Sequence, residues 1–203
     1  MHLTSGLPIY LFLLETAAGK VVCPIAERTF AGHTDVVTPY GFAGFTGTGL
    51  VPEAQVHWQR FARARGYVCG YIGLNPWLPA ATYVGDEPQH LGQTLYALDL
   101  RLPPDALLAA MSARRRAQLR QLTAGCITED KAVAGPFFLA HVREFLASRG
   151  AATLYQFTPA TLRYLLELDN VLVAAYAPGG DVQAVTVLAY TPYGAEYLFN
   201  VSV

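Results

Sequence analysis

Four glycines within nine residues, Gly41, Gly44, Gly47 and Gly49, are interleaved with Tyr40, Phe42 and Phe45 in the stretch from Thr38 to Gly49. A backbone of this composition turns sharply and admits a close neighbour beside aromatic faces, which is the chemistry of a ligand loop. The same composition also builds a glycine-rich hairpin or omega loop that binds nothing. The second concentration of chemistry is Arg114, Arg115, Arg116 and Arg120. Their guanidinium forks suit phosphates and carboxylates, and they serve equally as a solvated helix face.

Spacing excludes several other chemistries. The five histidines, His2, His33, His57, His90 and His141, are scattered, and neither His57 nor His141 has a second ligand at helical spacing, so no metal site is expected. No Gly-x-Ser-x-Gly elbow occurs. Cys69 precedes Gly70 within a strand pattern and has no evident activating partner, which argues against a covalent nucleophile. The three cysteines are far apart and read as reduced thiols of a cytoplasmic protein.

The elements that must position these residues emerge from patterning. The chain has 203 residues, 53% hydrophobic and 14% charged, with a formal net charge of -1, so it is globular and has no overall field that attracts nucleic acid or an anionic membrane, and any basic site must be local. No uninterrupted apolar run reaches the ~18 residues of a membrane span. Residues 9–14 and 20–28 read as a hairpin turning through Thr16-Ala17-Ala18-Gly19, and Val36-Val37 leads into the glycine-rich stretch. Pro52 opens a helix with Ala54, Trp58, Phe61 and Ala62 on one face, and residues 67–74 form a strand.

Residues 94–100 read as another strand. Pro103-Pro104 starts one long helix to about Thr123, with Arg116 and Arg120 on its polar side and Arg115 within its apolar arc. Pro136 begins a helix ending before Gly150, and Thr158-Pro159 caps another. Residues 171–177, 182–190 and 196–203 form a meander. The tetrad Thr-Pro-Tyr-Gly occurs at both Thr38–Gly41 and Thr191–Gly194, an echo that suggests one fold attempted twice.

Four local patterns in this order resemble the FemAB-like and BioF2-like branch of the GNAT acyltransferase superfamily, which includes the peptidoglycan bridge aminoacyltransferases. They are Thr38-Pro39-Tyr40-Gly41-Phe42-Ala43-Gly44, Leu98-Asp99-Leu100, Arg116-Ala117-Gln118-Leu119-Arg120, and Ala195 to Ser202. The resemblance implies a mixed α/β fold of two pseudo-repeated GNAT-like halves, residues 1–100 and 101–203, each around a largely antiparallel sheet. It also implies helices before the first hairpin and a pyrophosphate-binding turn and helix after Val203, so both halves read as incomplete.

The activity implied is transfer of an acyl or aminoacyl group from acyl-CoA or aminoacyl-tRNA to an amine, on a small molecule or a cell-wall precursor, without a metal. By the same resemblance Tyr40, Gly41, Gly44, Arg116, Arg120 and Asn200 bind substrate. Glu196 is the base and Tyr197 the acid, although a lone carboxylate after a turn is more often solvent-facing and a strand tyrosine is commonly core. Strand alternation sends Glu196, Leu198 and Asn200 one way and Tyr197 and Phe199 the other. The competing expectation is a noncatalytic interaction module whose last strand pairs with a second copy.

Overall fold

Apolar residues at every second position of Ile9–Thr16 and Gly19–Phe30 make two strands, β1 and β2, that close a hairpin through Ala17-Ala18. The Thr16 hydroxyl accepts the N–H groups of Ala18 and Gly19, each at 3.2 Å, which fixes the turn. The structure is a computed structural model, and it describes residues 6–39, 43–78, 83, 92, 94–122, 125–151 and 157–203. The chain divides into two compact units, Met1–Gly92 and Gln93–Val203. Both are mixed α/β, and the sheets are largely antiparallel, as expected.

In the first unit β3 (His33–Val37) follows β2 through a second hairpin, and β4 (Thr46–Gly49), α1 (Ala54–Ala64) and β5 (Tyr67–Tyr71) complete the order. The strand order is β1-β2-β3-β5, with β4 added to β2 beside β3. Strand β5 runs parallel to β3, so α1 is the crossover between them. Phe12, Val21, Cys23, Ile25 and Val36 face inward with Ala54, and Trp58 and Phe61 of α1 pack against them. Phe12 meets Trp58 edge-on at 5.2 Å between ring centroids. Phe45 joins this cluster at 3% exposure, so this aromatic residue of the glycine-rich stretch is core.

The second unit contains α2 (Pro104–Ala110), α3 (Ala113–Arg120), β6 (Ile127–Thr128), α4 (Lys131–Ser148), α5 (Pro159–Glu167), β7 (Val171–Tyr176), β8 (Ala184–Thr191) and β9 (Gly194–Ser202). The sheet order is β6-β7-β8-β9, all antiparallel. Alternate residues Val171, Val173, Ala175, Val185, Val187 and Val201 bury one face under Phe138, Val142 and Leu162 of α4 and α5. Thr158 caps α5 by accepting the Thr161 N–H at 3.2 Å, with Pro159 in the first turn, as its sequence predicts.

Four expectations are corrected. The long helix is two helices, because Met111 and Ser112 are extended and Ser112 caps α3 through the Arg115 N–H. Helix α4 begins at Lys131, capped by Asp130, and carries Pro136 in its second turn rather than at its start. Residues 94–100 form no strand, since no described strand pairs with them. The two Thr-Pro-Tyr-Gly tetrads differ in setting: Thr38 extends a parallel pair toward Tyr71, whereas Pro192-Tyr193 is the turn of the β8–β9 hairpin.

A polar lock ties β2 to the end of α1. The carboxylate of Glu27 accepts from Arg65 Nη2 and from the Tyr67 hydroxyl, each at 2.5 Å. These bonds hold Glu27 below the usual carboxylate range, that of Tyr67 most strongly. A lowered folded-state pKa contributes stability above the ordinary value and loses it as pH falls through the lowered one. Glu27→Gln is therefore expected to flatten the acid limb of a stability–pH curve measured by urea denaturation, without changing its shape above neutrality. Phe138, fully buried under the second sheet, is expected to cost about 3–5 kcal/mol in the same assay when replaced by alanine.

Candidate functional site

In the first unit, loops gather at the carboxyl ends of the parallel strands β3 and β5, where α/β folds commonly hold ligands. Thr38 is buried and bonds twice across this gap: its N–H donates to Tyr71 O at 3.0 Å, and its hydroxyl accepts the Gly73 N–H at 2.9 Å. Ala43 then bridges to Leu74. Gly44 has φ +66°, and a Cβ there would lie 3.0 Å from Leu74 Cα. A Cβ on Gly47 would overlap the Lys20 carbonyl oxygen, and one on Gly49 the Ala18 carbonyl oxygen. These three glycines serve close backbone packing within the unit. Tyr40 and Gly41 lie outside the described residues.

In the second unit the decisive feature is a β-bulge in β9. Val187 pairs with Phe199 and Leu188 with Tyr197, so Leu198 is the extra residue. The bulge corrects the simple alternation. Glu196 opposes Ala189 and shares a side with Phe199 and Val201, whereas Tyr197 and Asn200 share the other side with Leu188 and Thr186. Asn200 Nδ2 donates to Thr186 Oγ1 at 3.1 Å. Partial burial raises the Tyr197 phenol above its ordinary value, and its hydrogen bond with Asn200 opposes the rise. Tyr197 is consequently a protonated donor at neutral pH, grouped with two further hydrogen-bonding side chains.

The arginines occupy α3. Arg116 Nη1 donates to the carbonyl oxygens of Ala109, at 3.1 Å, and Met111, so it caps the end of α2 across the helix break. Arg115 Nη1 donates to Gln118 Oε1 at 3.1 Å on the exposed surface, not in an apolar arc. Arg120 is exposed in the last turn.

The chain is similar to an acetyltransferase. Over 186 residues, 90% of its length, it is 26% identical to tRNA(Met) cytidine acetyltransferase TmcA of Nitrosococcus halophilus (strain Nc4). It spans 22% of that protein. No family model matches the chain, and no solved structure matches it.

One polar group escaped the sequence reading. Arg28 grips Asp35 through two bonds of 2.9 and 2.6 Å across β2–β3, and Cys69 Sγ lies 3.9 Å from Asp35 Oδ2. Asp35 and Cys69 line a shallow depression of about 310 Å³ with Phe30, His33 and Val68. Arg28 and Asp35 are legible as partners of a short hairpin, but Cys69 joins them only through the parallel pairing of β5. Buried Cys23, by contrast, has its thiol pushed up to about 12, and is inert at neutral pH. No metal-holding group of histidine, cysteine and carboxylate exists among the described residues.

The Tyr197 cluster generates a direct test. Because Asn200 lowers the phenol's pKa, Asn200→Ala is expected to move the Tyr197 ionisation further upward in an ultraviolet pH titration. A downward shift would show that the hydrogen bond is not the controlling contact.

Proposed function

We propose that the chain is an N-acyltransferase domain of the GNAT type, moving an acyl or aminoacyl group from acyl-CoA or aminoacyl-tRNA to an amine. The observation that carries this reading is the similarity to a cytidine acetyltransferase along 90% of the chain. The ordered resemblances at Thr38–Gly44, Arg116–Arg120 and Ala195–Ser202 support it from within the sequence. Under this reading the two GNAT-like halves are residues 1–100 and 101–203, and the protein works where acyl-CoA and tRNA are abundant, in the cytoplasm. No helix among the described residues is long and apolar enough to cross a membrane.

Acyl transfer needs a nucleophilic amine, a path for its proton and hydrogen-bond donors for the oxygen that gains charge. Tyr197, held protonated and bonded to Asn200, suits the donor or acid role. Glu196 remains the base in this reading, and because it and Tyr197 lie on opposite sides of β9 the proton path passes around the strand's edge rather than across one face. The relative's name specifies a cytidine in tRNA, so an amine carried on RNA ranks ahead of a cell-wall precursor as the acceptor. Arg120 would bind the anionic part of either substrate, whereas Arg116 is committed to the carbonyl oxygens at the end of α2.

Incubating the protein with radiolabelled acetyl-CoA and either total tRNA or a cell-wall precursor tests the reading. Label is expected in RNA, with Tyr197→Phe slowing turnover by about 10²-fold or more while leaving acetyl-CoA affinity unchanged. Absence of calorimetric binding to both acetyl-CoA and aminoacyl-tRNA would overturn it. A second reading, an interaction module, is favoured by one observation: β9 stands at the edge of its sheet among the described strands. That module would dimerise through β9, and a monomer by analytical ultracentrifugation would dismiss it.

A further inference from the structure

Helix α3 divides its cations by the direction in which they point. Eight residues, Ala113–Arg120, contain four arginines and no carboxylate. Arg116 is spent on the carbonyl oxygens at the end of α2, which fixes one side of α3 against the preceding helix. At about 100° per residue, Arg114, Gln118 and Gln121 fall in an arc opposite Arg116, with Arg115 at its margin. All four are exposed. Among the described residues no carboxylate lies within ion-pair distance of Arg114, Arg115 or Arg120, although four such pairs form elsewhere. In a chain of net charge -1 this face is a local concentration of positive charge that no described carboxylate neutralises.

The geometry points to a binding surface for the sugar–phosphate backbone of RNA on this face of α3, with Arg114 and Arg115 on phosphates and Gln118 and Gln121 on ribose hydroxyls. Guanidinium forks match phosphate oxygens. Amide side chains both donate and accept, which suits the 2′-hydroxyl that distinguishes RNA from DNA. An anionic bilayer fits less well. Leu119 lies between Arg115 and Arg116 around the helix, so α3 has no continuous apolar side to insert into lipid. The surface contacts backbone rather than bases, so its affinity is salt-dependent and nearly indifferent to sequence. It stands independently of acyl transfer.

Fluorescence anisotropy with the full chain and an unstructured uridine oligomer, over a series of potassium chloride concentrations, tests this surface. The wild type is expected to bind, and the double variant Arg114→Gln, Arg115→Gln to bind about tenfold more weakly. Its salt slope should shrink by about 0.7 for each lost phosphate contact. Both side chains are exposed, so thermal melting should be unchanged, and Arg149→Gln, at the end of α4 rather than on α3, should bind as the wild type does. Absence of RNA binding by the wild type, an unchanged slope in the double variant, or equal affinity for the deoxyuridine oligomer would overturn the inference. So would loss of binding to phosphatidylserine vesicles or coenzyme A, rather than to RNA, in the double variant. No acyl donor is present, so these results do not depend on whether the protein transfers acyl groups.

Discussion

The first unit depends on two backbones lying closer together than side chains permit. Strand β4 runs against the start of β2, and Gly47 and Gly49 sit where the carbonyl oxygens of Lys20 and Ala18 fill the space a Cβ would need. That contact gives β2 a strand on each side of its first residues. It also returns the chain from the end of β3 toward α1 and leaves Phe45 to fill the aromatic core with Phe12 and Trp58. The glycines are thus explained by the protein's own architecture, so they are no evidence for a phosphate-cradling loop. Beyond Val37, two hydrogen bonds from Thr38 continue the β3–β5 pairing to Tyr71 and Gly73.

The second unit uses irregularity in a different way. Its sheet is regular on β7 and β8, and the bulge on β9 puts Asn200 with Tyr197 on the side of the strand opposite Glu196. Alternation alone separates Glu196 from Tyr197; the bulge also separates Glu196 from Asn200 and makes Tyr197 and Asn200, three positions apart, neighbours. Bulges re-aim side chains without altering the core, and here Phe199 and Val201 still reach Phe138 and the valines beneath it.

Local signals were legible where the interaction itself is local. The hairpin of β1 and β2, the Thr158-Pro159 cap and the β7–β9 meander rest on periodicity and on side chains bonding their own backbone. The remainder depends on partners distant in the chain. Ser112 ends one helix and starts another although the apolar spacing continues past it, because its hydroxyl competes for the Arg115 N–H. Arg116 looks like a surface cation until the two carbonyl oxygens it caps are in view. Pro136 marks a helix start by composition, yet the Asp130 cap places the true start earlier and the proline is accommodated within. The bulge at Leu198 leaves no trace in composition, since it exists only in the pairing with β8. Residues 94–100 have a strand's alternation but no described partner, and a strand is defined by its partner.

The parallel pairing of β3 with β5 carries a kinetic consequence. Hairpins such as β7–β8–β9 form by closing short loops, whereas β3 meets β5 only after the glycine-rich stretch, β4 and α1 have been gathered between them. Non-local pairing of this kind slows folding. The β7–β8–β9 meander is therefore expected to form before β5 docks on β3. Until then the β3 edge and the apolar side chains of α1 stay open to other chains. That edge lies in the earlier-synthesised half of the chain, so on a nascent polypeptide it is exposed first.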